Sequence, residues 1–283
     1  MSYVVLTVIS SMFFAFYDLF KKISVRKGKD IYEILFFYTL IAFLCGFIFV
    51  KDAFMLSFTD VMFLFLKSAI VSLSWILTMK AMSKLDIGIV VPFSLLAAVF
   101  TSFNAAIFYG EDIGLVQIGG IIVILLGLIL LSKLSNHDKR ETNDYKFLWL
   151  LVLASFLTSL AAMLDKKLAS NISSGAVAFW FFLFLSVIYM TICLFRNKKI
   201  DFKNFKTNLW VVLIGISIFL SDIFYYYALA IDNTMISVVF IFKRLSVFMS
   251  VVLASIFLKE KYFLKKLIIL MFMFCGLGLI LFL

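Results

Sequence analysis

The chain has 283 residues, of which 65% are apolar and 15% charged, with a mean hydropathy of +1.15. A soluble domain must present a hydrated shell and runs at about 45 to 50% apolar and about 25% charged, so this composition calls for a lipid solvent. The net charge of +10 is what the cytoplasmic loops of a many-span protein supply, and nucleic acid is not implied as a partner.

Apolar stretches separated by short charged punctuation predict ten spanning helices, at 3–22, 31–50, 61–82, 87–109, 113–133, 146–165, 175–195, 208–230, 234–258 and 263–283. One proline and 12 glycines predict mostly unbroken helices. Alternating segments of the outer-membrane barrel kind are absent from the sequence. The first span has no basic residue before it and no small-residue cleavage site after it, so it reads as a retained span, not a signal peptide. Cys45, Cys193 and Cys275 fall within apolar helices and read as small packing residues. The only histidine, His137, sits in the polar stretch 135–146 with no metal-ligand spacing around it, so neither a metal nor another cofactor is expected.

That stretch lies at the chain's midpoint and divides it into halves of five spans, 1–134 and 147–283. At an offset of 149, Ala81 meets Ala230, Glu111 meets Glu260, Gly127 meets Gly276, and Ser68 and Ser72 meet Ser217 and Ser221. At an offset of 145, Lys21-Lys22 meets Lys166-Lys167. Polar and glycine matches carry this argument, because apolar identities come cheaply in so biased a composition. An odd number of spans per repeat turns the second repeat over in the membrane. The expected fold is therefore an all-α integral membrane protein, ten transmembrane helices as two inverted five-helix repeats, with a site near the midplane exposed by alternating access.

The segment Ala81 to Glu111 resembles the ten-helix EamA form of the drug/metabolite transporter superfamily. It has an Ala81-Met82 start where the family has an alanine-leucine pair, Pro92 about eleven residues on, and Gly110-Glu111 about thirty residues on, followed by a small-residue helix with Gly119, Gly120 and Gly127. The second copy keeps Ala230 and Glu260 but has Ile241 in the proline position and Lys259 in the glycine position. The resemblance implies transport of small metabolites or drugs, without naming one substrate, and termini on the inside.

The basic residues argue for the opposite orientation. Twenty of the 26 fall in the loops after spans 1, 3, 5, 7 and 9, whereas the other loops hold Lys51, Lys67, Lys166 and Lys167. Cytoplasmic loops carry such an excess, so both termini are expected outside a cell membrane.

Charge at membrane depth costs about 2.5 to 3.5 kcal/mol on insertion scales and marks pairing, a wet cavity or function. Lys243 and Arg244 lie about ten residues into the ninth span and suit a clamp for an anion, Arg244 by its planar fork. Being adjacent, they turn to different faces and need not share a role. Asp222, beside Tyr225, Tyr226 and Tyr227, is a candidate proton-coupling acid or a standing partner of Lys243 or Arg244. Asp18 is a second proton-site candidate, with the plainer alternative of pairing with the lysines one turn on. Trp75 and Asn104, among the polar and aromatic residues of spans 3 and 4, are candidate cavity-lining groups, although packing between helices explains such residues equally well. Lys67 and Lys80 read as interfacial anchors, and Glu111 and Glu260 as caps on the turn into the following span.

Together these features point to a secondary transporter of a small carboxylate-bearing metabolite, an amino acid or organic acid, bound by Lys243, Arg244, Asp222, Tyr226, Trp75 and Asn104, with Asp222 and Asp18 as proton-coupling groups. The competing readings are an exporter of cationic drugs held by the acids and tyrosine faces, a lipid-linked-sugar flippase, and an accessory membrane subunit. An enzyme is not expected, since the sequence has no Ser-His-Asp arrangement, no HExxH and no glycine-rich phosphate loop. The partners expected are a small molecule and the lipid bilayer. The sequence leaves the oligomeric state open, with a monomer one option.

Overall fold

Four of the helices begin where a short polar side chain caps the first turn. Ser2 accepts from the Val4 amide, Asp30 from Tyr32, Ser57 from Asp60 and Ser173 from Ala176, each filling an amide that the helix itself cannot satisfy. The computed structural model describes residues 2–27, 30–54, 56–109, 114–135, 144–169, 172–196, 209–231 and 236–282, and all the regular structure among them is helical. The long helices are α1 (Tyr3–Arg26), α2 (Ile31–Gly46, extended by a 3-10 turn over Phe47–Phe49) and α3 (Phe58–Met82). After the broken α4 come α5 (Leu115–Ser135), α6 (Asp144–Ala169), α7 (Ser174–Phe195), α8 (Leu209–Leu229), α9 (Ile236–Leu258) and α10 (Phe263–Phe282). Among the described residues nine helices, counting α4 as one, are long and apolar enough to cross a membrane. The remaining one, α9, has 23 residues, about 34 Å at 1.5 Å per residue, which also suffices.

The fourth span expected at 87–109 is present but is not one continuous α-helix. α4 consists of Ile87–Val90, a 3-10 turn over Pro92–Leu95, and Leu96–Tyr109. Pro92 has no N–H to donate and its ring crowds the carbonyl four residues back, so an α-helix cannot run through it undisturbed.

The packing obeys the expected pseudo-two-fold relation, in which helix n of the first repeat corresponds to helix n+5 of the second. α1 lies along α8 and α9, and correspondingly α6 lies along α3 and α4. α2 packs on α7 and α5 on α10, pairs that the operation maps onto themselves. The α5–α10 pair crosses at Gly120 and Gly276, where a Cβ on Gly120 would lie 2.5 Å from the Gly276 carbonyl oxygen. Gly120 also lies against Ile280, while Gly127 lies against the earlier residue Met273, so the two helices run antiparallel, as inversion of one repeat requires.

Outward faces are strongly apolar: Ile48, Leu115 and Phe195 are among the most exposed side chains, as a lipid solvent demands. Cys193 is buried and Cys45 half-buried, but Cys275 is exposed on α10, so the packing role expected of all three thiols does not extend to it. The linker 135–146 with His137, and the Gly110-Glu111 pair, fall almost wholly outside the described residues.

Candidate functional site

Where α1, α3, α6 and α9 meet the break in α4, they border a partly open cavity of about 140 Å³. The break supplies Val90, Val91, Phe93 and Ser94 to its wall, and Trp75 and Phe14 add aromatic faces. Irregular backbone is tolerated at membrane depth only where protein or a water-filled cavity adjoins it, which is the situation of Pro92. One carbonyl of this stretch is answered directly, since Ser155 of α6 donates to the Phe93 oxygen at 2.9 Å.

Both cations singled out in α9 line the cavity, but with different attachments. The Lys243 ammonium donates to Ser10 Oγ at 2.7 Å and Ser221 Oγ at 2.8 Å, and lies 3.9 Å from Asp222 Oδ1. It therefore ties α9 to α1 and α8. Arg244 makes no hydrogen bond or ion pair among the described residues.

Asp18 also lines the cavity and is thoroughly engaged. Its Oδ1 is 2.9 Å from the Lys21 ammonium and its Oδ2 accepts from Ser250 at 3.2 Å. The pairing expected between Asp18 and a following lysine is thus present, but Lys21 does not reach an interface: it is buried, with its ammonium 3.9 Å from the centre of the Tyr17 ring. Lys22 is buried too, donating to the carbonyls of Met82 at 2.7 Å and Leu85 at 2.6 Å, where α3 ends and leaves oxygens unpaired.

Three of the expected positions have other partners. Asn104 does not line this cavity; its amide donates to Ser159 at 3.0 Å and joins α4 to α6. Tyr226 does not line it either, because its hydroxyl accepts a short hydrogen bond from Lys67. Lys67, expected at the interface, is 2% exposed and also pairs with Asp165, so it bridges α3, α6 and α8. Asp165 was not singled out from the sequence, although it precedes Lys166-Lys167 much as Asp18 precedes Lys21-Lys22.

Glu260, read from the sequence as a local cap, caps a helix of the other repeat instead. Its carboxylate accepts from the Ile87 amide at 2.8 Å and the Gly88 amide at 3.0 Å, and from the Lys266 ammonium at 3.0 Å.

The model of the EamA-like transporter family matches residues 1–133 and again residues 146–282. The chain belongs to that family. EamA proteins form part of the drug/metabolite transporter superfamily, and this one is a multi-pass membrane protein built from the family's two repeats. A solved structure titled only "Crystal structure of protein" shares the fold, with a TM-score of 0.68 over 97% of this chain and 96% of that one, at 11% identity. None of the curated proteins matches the EamA-like chain.

Proposed function

We propose that this protein is a secondary transporter that moves a small carboxylate-bearing metabolite, an amino acid or an organic acid, by alternating access of the cavity between its two repeats. The observation that carries this reading is Arg244, a cavity-lining cation without a protein partner among the described residues. Holding a desolvated guanidinium in a membrane interior is costly, and a bound carboxylate accepting two parallel N–H bonds offsets that cost. The apolar and aromatic wall of Phe14, Trp75 and Phe93 would contact the rest of the cargo.

Lys243 takes a supporting part in this reading, since serines and Asp222 already engage it. Asp222 is the better placed of the two acids for proton coupling. A proton on its carboxylate would remove the negative charge opposite the Lys243 ammonium and so weaken the tie of α9 to α8. Cationic cargo is less well served, because the carboxylates it would need are those of Asp18 and Asp222, each already opposite a lysine.

Counterflow into proteoliposomes tests the reading. Arg244→Gln should abolish accumulation of a carboxylate cargo while the purified protein stays monodisperse, and Arg244→Lys should restore part of it. Full transport by Arg244→Gln would overturn the assignment, and loss of transport of a quaternary amine in Asp222→Asn alone would favour the cationic-drug reading.

A further inference from the structure

From the charges and the size of the cavity we infer that the cargo is a small monocarboxylate with a compact apolar body, neither a zwitterion nor a dicarboxylate. This rests on the reading in which Arg244 receives a carboxylate, and narrows it.

The charged groups at the cavity are Lys21, Lys243 and Arg244 against Asp18, with Asp222 behind Lys243. Each acid has its own lysine: Asp18 faces Lys21 at 2.9 Å and Asp222 faces Lys243 at 3.9 Å. One positive charge, that of Arg244, is left over. A monoanion neutralises it, and the loaded cavity then carries no net charge. A dicarboxylate would bring a second negative charge with no further cation free to meet it among the described residues. In a low-dielectric interior an unmatched charge is strongly disfavoured.

A zwitterion meets competition for the acid, not a mismatch in total charge. Its ammonium would be drawn to Asp18, the carboxylate that lines the cavity among the described residues, whose Oδ1 already faces Lys21 and whose Oδ2 accepts from Ser250. Binding there would set a second ammonium against Lys21, which also lies over the face of Tyr17. Two buried cations would then compete for one acid.

Size sets the rest. A cavity of about 150 Å³ in a protein interior holds one benzene-sized molecule, and this one is about 140 Å³. With Phe14, Trp75, Phe93 and Val247 around it, the space suits an aromatic ring or a short branched chain carrying one carboxylate.

A series of probes built on one benzene ring separates the possibilities: benzoate, phenylglycine, phthalate and benzylamine, titrated into the purified protein in nanodiscs by calorimetry at pH 7.5. Benzoate should bind at least tenfold more tightly than the other three, and Arg244→Gln should weaken it at least tenfold. Arg244-dependent binding of phenylglycine or phthalate as tight as that of benzoate would overturn the monocarboxylate inference and leave the transport reading standing. Benzoate binding indifferent to Arg244→Gln, no benzoate binding, or preference for benzylamine would overturn the inference, and the first and last would remove the carboxylate reading with it. The comparison among ligands uses the wild-type protein, so misfolding of the variant cannot rescue or sink it.

Discussion

The carboxylate of Glu260, in the turn between α9 and α10, sits at the first amide of α4, accepting from Ile87 at 2.8 Å. A residue of the second repeat thereby caps the broken helix of the first, and that helix's broken segment walls the cavity. Gly88 leaves the room for this: a Cβ there would lie 2.7 Å from Lys266 Cδ and 3.0 Å from Glu260 Oε2. A negative charge at a helix N-terminus is stabilised by the unpaired amides and the helix dipole, and here it also neutralises the buried Lys266.

Glu260→Ala should therefore be severely destabilising. It removes the acceptors of two amides and leaves the buried Lys266 ammonium with Asp86 at 3.9 Å as its remaining acid among the described residues, a combination that costs up to about 3 to 5 kcal/mol. Glu260→Gln keeps an acceptor for one amide and should fall between the two. Thermal unfolding of the purified proteins in nanodiscs measures the order, and wild-type stability in Glu260→Ala would show that the contact contributes nothing.

Lys259, next to Glu260, has φ of 53°, in the left-handed region. A non-glycine residue there costs about 1 to 2 kcal/mol relative to a right-handed conformation, and glycine ends a large share of helices in this way. Lys259→Gly should raise the stability by about 1 kcal/mol, part of the relief being lost to the freer unfolded chain. An unchanged or lowered melting temperature in the same assay would count against the strain.

How much of this was legible in the sequence depended on which physical quantity set it. Hydropathy alone located the ten helices, because a bilayer imposes length and apolarity on each span and leaves few alternatives. Polar matches such as Ser72 with Ser221 exposed the repeat for the same reason, polar residues being rare within the spans. The partners of those polar residues were not legible. Lys67 and Asp165 stand 98 positions apart and meet only because α3 packs on α6, and nothing in the one-dimensional pattern distinguishes a buried lysine from an interfacial one. Lys243 and Arg244 were recognised as a pair, and their division into a tether and an unengaged cation followed from the positions of Ser10 and Ser221 on other helices. The glycine missing at 259 was visible in the sequence as a departure from the family pattern, and the positive φ supplies its cost.

The bridge formed by Lys67, Asp165 and Tyr226 should behave as a unit. Lys67→Met strands the Asp165 carboxylate and Asp165→Leu strands the Lys67 ammonium, each expected to cost about 3 to 5 kcal/mol, whereas the double variant should recover much of the loss. A double-mutant cycle on thermal stability yields the coupling, and strictly additive losses would mean that the two residues do not act together.

The orientation suggested by the basic residues can be decided independently of transport. Lys21, Lys22 and Lys266 are buried on one side of the count and Lys67 on the other, so these four are not loop charges at all. Removing them leaves the bias standing, with 17 basic residues on the rich side and Lys51, Lys166 and Lys167 on the poor one. In a cysteine-free background, a cysteine at position 196 should resist a membrane-impermeant maleimide added to intact cells, and one at position 51 should react. Labelling of 196 from outside, with protection of 51, would reverse the orientation and restore the one implied by the family resemblance. The cavity chemistry would be untouched by either outcome.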